Sequence, residues 1–428
     1  MTGNEILSCF VAVYLLQLVF AVWLEMLNRK QLILQGEDVP RPMQGFIDKE
    51  KLDRTLAYSM EKSRVFVFEK IVSDAVLLGI ILSGLINHLA GFSSGLGLHF
   101  VWAGLIFYLV LGLVFFLLEM PFDYYHTFIV EERYGFNRSD LQTWLADKLK
   151  AALLSVALLV ALLAPVLWAI RAFPNYWWFW GFLIASIVQF VMVVLYPVLI
   201  APIFNKFEPL EDEELARDVN GMAQDVGMKT EGIFKMDAGK RSTHSNAYFA
   251  GMGKARRIVL FDTLLNSLSH EEILGVLAHE MGHFKLKHIL KSYLAGQGIM
   301  LVGFYLTYLM LNWAALYEAF RLDPSQSYAA LFVAGIFWRR VGFFLRPFYM
   351  IFSRRAERQA DLFAVKLRQN AVPLVTALKR MAEHNLSNLC PHPLYVWFYY
   401  SHPPLLERIT MLEKRETGRK DWTDAGVR

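Results

Sequence analysis

The residues able to do chemistry crowd into one stretch, Ser269 to His288, which reads SHEEILGVLAHEMGHFKLKH. Inside it, His279-Glu280-Met281-Gly282-His283 has the H-E-x-x-H spacing. On a helix, side chains four apart stand one above the other, so His279 and His283 aim two imidazoles at one point. Two neutral imidazoles suit Zn²⁺, one ion per chain, and Glu280 can take a proton from a water polarised there. The bland alternative is a pair of ordinary histidines on a packed helix. A catalytic zinc also needs a third protein ligand and an open fourth position. The best placed carboxylate is Glu357, in Ser353-Arg354-Arg355-Ala356-Glu357-Arg358-Gln359-Ala360-Asp361, on a separate predicted helix. Asp361, four residues on, shares its face and can accept the free ring N–H of a ligand histidine. Without the histidines, that pair would read as a solvated helix face among arginines.

Other groups gather around this centre. Ser401-His402-Pro403-Pro404 fixes the backbone ahead of a helix carrying Glu407 and Arg408. A rigidly held His402 and Arg408 can stabilise the oxyanion formed when water attacks a peptide carbonyl. Asn246-Ala247-Tyr248-Phe249 reads as a strand beside Gly251-Met252-Gly253, either an edge that takes up an extended peptide or a structural hairpin strand. His288, five residues from His283, falls off the ligand face and reads as structural or solvent-facing. His88, His99, His126, His270, His384 and His392 have no partner pattern, and His244 stays open. Cys9 and Cys390, the only cysteines, make neither a disulfide framework nor a cysteine metal site.

These groups need a scaffold, and composition says which kind. Hydrophobic residues make up 55% and charged ones 19%, with a positive mean hydropathy, the balance of a membrane protein. A formal charge of +4 is too small to point to nucleic acid. Apolar runs of roughly twenty residues, the length of a bilayer core, fall at 6–24, 71–89, 100–118, 151–170, 177–200, 293–316 and 329–352, seven spans in all. The first has no basic residue before it and no small-residue cleavage site, so it reads as an anchor that stays. Lys and Arg concentrate after the first and third spans and around the H-E-x-x-H stretch, while 88–99 has neither. By the positive-inside rule the amino terminus lies outside, and the metal motif and carboxyl terminus are cytosolic. Arg339, Arg340 and Arg346 fall inside the last span, where charge is costly. Either the buried helix is shorter than drawn, or these arginines face water.

The metal helix is announced by a capping box, Ser269 with Glu272, and by Leu274, Leu277, Ala278 and Met281 as a buried face. Ahead of it come a helix over 211–226 and strands at 232–236, 247–250 and 257–261, a small sheet followed by the metal helix as in zincin proteases. The fold class is therefore mainly α, a polytopic membrane protein with a small cytosolic α+β protease domain. Its parts are 1–200 (five spans and their loops), 201–292 (soluble zincin-like domain), 293–352 (two further spans), 353–415 (helical segment with the third ligand) and 416–428 (polar tail).

At this point the sequence resembles the type I CaaX prenyl proteases, integral-membrane zinc metalloproteases. Phe128–Asn137 (FIVEERYGFN), Ala201–Phe207 (APIFNKF) and Lys240–Phe249 (KRSTHSNAYF) are similar to family blocks. So are Ala278–His283, Ser353–Asp361 and Ser401–Arg408, the six running in order over most of the chain. The resemblance implies His279, His283 and Glu357 as zinc ligands, Glu280 as general base and Asp361 as partner of a ligand. It implies that Asn246 and Ala247 hold the substrate backbone, with Tyr248 beside them, and that His402 and Arg408 act at the transition state. It further implies seven helices enclosing a large water-filled chamber, which would favour a watery setting for Arg339 and Arg340. The substrate would be a peptide or protein cut near the carboxyl terminus after a prenylated cysteine, the setting the bilayer of an endoplasmic reticulum or a bacterial inner membrane. Two alternatives stand beside this. One is a membrane quality-control protease with no prenyl requirement. The other is a non-catalytic receptor or transporter, whose mark would be a broken ligand triad.

Overall fold

The computed structural model describes residues 2–35, 38–250 and 257–416 and is mainly helical. Apolar runs become helices because, in lipid, a helix satisfies every backbone N–H and C=O within its own segment. In chain order the first elements are α1 (Gly3–Gln35), α2 (Lys49–Leu82), α3 (Leu85–Gly95), α4 (Phe100–Tyr125), α5 (Leu141–Ala172) and α6 (Trp177–Leu195). A π-helical turn, His126–Glu131, extends α4. Then come α7 (Ala201–Phe204), β1 (Phe207–Pro209), α8 (Glu213–Asp225), β2 (Gly232–Met236), β3 (Ala247–Ala250), β4 (Arg257–Phe261) and α9 (Asp262–Ser267). The rest is α10 (His270–Lys285), α11 (His288–Leu311), α12 (Ala314–Phe320), α13 (Ser327–Arg368), α14 (Val372–His384), α15 (Pro393–Tyr399) and α16 (Leu405–Glu416). Gly251–Gly253 and the tail from 417 onward lie outside the described residues.

Six helices among the described residues are long and apolar enough to cross a membrane: Gly3–Leu34, Phe100–Glu131, Leu141–Ala172, Trp177–Phe204, His288–Leu311 and Pro324–Arg368. The remaining expected span, 71–89, is not one helix. α2 stops at Leu82, Gly84 takes a left-handed φ of +79°, and α3 starts afresh at Leu85. A left-handed residue cannot continue the hydrogen-bond ladder, and glycine alone adopts it without strain.

The arginines of α13 do not share one setting. The helix runs over 42 residues, about 63 Å at 1.5 Å per residue, longer than the roughly 30 Å of a bilayer core. Arg340 is 2% exposed, so it is packed against protein. Its Nη2 donates to Asp74 Oδ1 at 2.8 Å, its Nη1 to Asp74 Oδ2 at 3.1 Å and to Gln17 Oε1, and its guanidinium lies 3.7 Å from the Tyr14 ring centre. The polar residue that interrupts α1 and the acid in α2 thus meet the charge on α13. Arg339, next to it, is exposed.

The small sheet has order β1-β2-β4-β3, with β2 and β4 parallel and both outer pairs antiparallel. β4 is covered on both faces (Ile258, Val259 and Leu260 are buried), whereas β3 is an edge. β4, α8, α10, α14 and α16 close one apolar core, and α1, α4, α5 and α13 form a separate one.

Candidate metal centre

α10 lies in the first of these cores. Leu274, Leu277, Ala278 and Met281 are at most 1% exposed, each large side chain contributing about 1.5–3 kcal/mol relative to leaving it in water. The helix starts on a complete capping box. Ser269 N–H donates to Glu272 Oε2 at 2.8 Å, and Glu272 N–H donates to Ser269 Oγ. Arg380 of α14 donates to the other Glu272 oxygen at 2.7 Å. Two glycines let neighbours come close. A Cβ on Gly275 would lie 2.9 Å from Leu374 N, and one on Gly282 would lie 2.9 Å from Ala360 Cα. The second contact draws α13 onto α10 between the two histidines.

That approach brings Glu357 to them. His279 Nε2 lies 3.3 Å from His283 Nε2 and 3.3 Å from Glu357 Oε2, while His283 Nε2 lies 3.3 Å from Glu357 Oε1. His279, Glu357 and Asp361 are buried, and Glu357 Oε2 has no hydrogen-bond donor. Three nitrogen and oxygen ligands about 2.0–2.1 Å from a tetrahedral ion stand roughly 3.3–3.4 Å from one another. The two imidazoles stand at that spacing, each also meets a different Glu357 oxygen at it, and one ligand atom from each residue lies within 4.8 Å of the others. The residues present fit a metal.

The surroundings hold the ligands in place. His279 Nδ1 lies 2.8 Å from Asp361 Oδ1. Asp361 in turn accepts from Arg408 Nε at 2.9 Å and Nη2 at 2.6 Å. Burial pushes the His279 imidazolium down, but the Asp361 and Glu357 carboxylates more than offset it and raise its pKa to about 9. His283 is oriented by a residue that helical spacing assigned elsewhere. His288 Nδ1 lies 3.2 Å from His283 Nδ1, and its Nε2 lies 3.0 Å from Gln359 Oε1. Lys287 takes a left-handed φ of 57°, ending α10's run and swinging His288 back at the start of α11.

Glu280 stands half-buried beside the pair, and burial pushes its carboxyl above the ordinary range against the pull of His279 and His283. His402 Nε2 lies 3.4 Å from Glu357 Oε1, its Nδ1 2.9 Å from Ser401 Oγ. Its ring is exposed into a cavity yet walled by protein, and desolvation pushes its pKa below the usual value despite Glu357. Arg408 is not free to face a substrate with every nitrogen, since two are held by Asp361. Nη1 remains.

The candidate strand sits at the sheet edge. Antiparallel pairing joins Tyr248 with Val259, and Phe261 N–H donates to Asn246 C=O. By the alternation of such ladders, Ala247 and Phe249 turn their backbone groups outward. Ala247 N–H is taken by Asn246 Oδ1 at 2.8 Å. Tyr248 packs edge-on against Phe261, and burial raises its phenol to about 12.

A helical membrane scaffold with this centre at its end defines an integral-membrane metallopeptidase. The chain belongs to peptidase family M48: residues 209–416 match "Peptidase family M48" and residues 29–206 match "CAAX prenyl protease N-terminal, five membrane helices". It is 32% identical to a CAAX prenyl protease 1 homolog of Oryza sativa over 97% of this chain and 99% of that one. It is 34% identical to CAAX prenyl protease 1 of Saccharomyces cerevisiae, covering 89% of each. The crystal structure of S. mikatae Ste24p superposes with a TM-score of 0.87 at 30% identity, over 96% of this chain and 99% of that one.

Proposed function

We propose that the chain is a zinc endopeptidase that cuts peptides near the carboxyl terminus of prenylated CaaX proteins. The observation that carries the hydrolytic part is the convergence of His279, His283 and Glu357, whose ligand atoms lie within 4.8 Å of one another. The relatives' names support the substrate class. His279, His283 and Glu357 would hold the zinc, which supplies a Lewis acid and a water of near-neutral pKa. Glu280, its carboxyl raised by burial, takes the proton from the attacking water and returns it to the leaving amine. His402, whose pKa desolvation pushes below the usual value, and Arg408 Nη1 donate to the oxyanion as charge develops there. Asp361 holds the His279 tautomer. The outward groups of β3 near Asn246, Ala247 and Tyr248 hold the substrate as an added strand.

The active site faces the cytosol and the amino terminus lies outside in this reading, in an endoplasmic reticulum or a bacterial inner membrane. A reporter fused after Arg428 and found outside would reverse it. The main test compares a farnesylated peptide with its unmodified twin, with and without a chelator. Chelator-sensitive cutting that favours the farnesylated peptide is the expected result. Equal cutting of both would remove the prenyl requirement and favour a quality-control protease. No cutting at all would sink the hydrolytic reading.

A further inference from the structure

The cavity beside the metal centre reaches well past the groups that hydrolysis uses. It holds about 850 Å³, and from His402 and Arg408 it extends along Asn385 and Tyr58 to Lys62 and His126. The direction of a bound peptide comes from the sheet. A peptide added antiparallel to edge strand β3 runs against Ala247→Ala250, so its carboxyl-terminal residues pass the amino end of that strand. There His244 Nδ1 and Ser245 N–H both meet Asn385 Oδ1 at 3.2 Å, and Asn385 is a wall of the cavity.

The charge at that end suits a chain terminus. Lys62, half-buried on α2, donates to the Tyr58 hydroxyl at 3.1 Å, and its ammonium lies 4.7 Å from the Tyr58 ring centre. Among the described residues no carboxylate forms an ion pair with it, whereas Arg408, the other full cation of the cavity, is held by Asp361. The Tyr58 hydroxyl donates to Glu131 Oε1 at 2.7 Å, and Glu131 Oε2 lies 3.3 Å from His244 Nε2. The loop before β3 and the Lys62 wall are thus parts of one network. Beyond Lys62 the wall changes sign: Glu69 lies two turns further along α2, and Glu25 is buried there. That change of sign favours an anion at Lys62 over one further in.

We propose that Lys62 anchors the free terminal carboxylate of the peptide being cut, so that the enzyme places its cut relative to the chain end. This rests on the peptidase reading above. An ammonium–carboxylate hydrogen bond in a partly enclosed site contributes more than a neutral one, and lysine offers it as a point charge without a fixed fork.

The test uses the full chain and two peptides that differ only in a free acid or an amide at the carboxyl end. The wild type is expected to favour the acid about 10–100-fold in kcat/KM, the range of a charged hydrogen bond. In Lys62→Met the acid-to-amide ratio is expected to collapse toward one, and in Lys62→Arg to survive in large part. Each ratio is read within one preparation, so a partly folded variant does not distort it. Short peptide acids and their amides, used as competing inhibitors of the wild type, give the ratio with no variant at all. A wild type that treats acid and amide alike, or a Lys62→Met that keeps the full ratio, overturns the anchor and leaves the peptidase standing. A wild type that cuts neither peptide removes the peptidase reading and the anchor together.

Discussion

Among the buried charges of helix α13, Arg340 and Glu357 stand about 25 Å apart along its axis at 1.5 Å per residue, and their settings are opposites. Arg340 meets a carboxylate of opposite charge, an amide oxygen and an aromatic face, so its charge is paired where it stands although its Nε has no acceptor. Glu357 meets three imidazoles at 3.3–3.4 Å, and one of its oxygens has no donor. The first is a fastening between helices. The second is a set of lone pairs turned toward one point, which asks for a cation. Burial alone does not separate structure from chemistry; whether the partners complete the charge does.

The contrast can be broken from its open end first. Glu280→Gln is expected to keep its metal and lose about 10²–10⁴-fold in kcat. Glu357→Ala is expected to lose metal as well as activity, and full metal occupancy in that variant would point to another third ligand. At the closed end, Asp74→Leu strands Arg340 and is expected to cost about 3–5 kcal/mol of stability, read as a drop in melting temperature in detergent. Adding Arg340→Met to it should restore most of the loss. If the double variant is no more stable than the single one, the pair is more than a fastening.

A smaller effect is expected at His288. His288→Ala frees the far side of His283 and should weaken metal binding about 10–100-fold in a chelator competition. Unchanged affinity would make that contact idle. The smallest concerns Glu272. Burial disfavours its charge, but Ser269 N–H and Arg380 hold its carboxyl below the ordinary range. A depressed native pKa contributes stability above the unfolded value of about 4.3 and loses it as pH falls through the native value. Glu272→Gln should therefore cost about 1 kcal/mol near neutral pH, and its melting curve should meet the wild type's in acid. A difference that persists at pH 3 would argue against the charge.

What was legible in the sequence was what is local. The capping box of α10, the four-residue step between His279 and His283 and the three strands at 232–236, 247–250 and 257–261 depend on neighbours within a turn or a hairpin. Seven spans were expected and six helices qualify, because the apolar run at 71–89 hides a left-handed glycine and an acid, Asp74, whose partner lies far along the chain on α13. The same distance concealed Arg340, since no pattern near residue 340 reveals a partner on α1 or α2. His288 is structural, one of its two expected settings, but its contact with His283 was not legible. A five-residue step is off the face of a continuous helix, but Lys287 ends that helix, and the geometry restarts. Gly282 carried a signal that went unused: a glycine inside a metal helix marks a close backbone approach, here Ala360.

One consequence follows from the unbroken course of α13. The rod that crosses the bilayer is the same helix that delivers Glu357 and Asp361, with no loop between anchor and ligand, although Pro347 leaves one rung of its ladder open. Hydrolysis is thereby tied to membrane residence, because excising the apolar half would leave Glu357 near a ragged helix end. A water-soluble fragment that still bound metal would show the two to be separable.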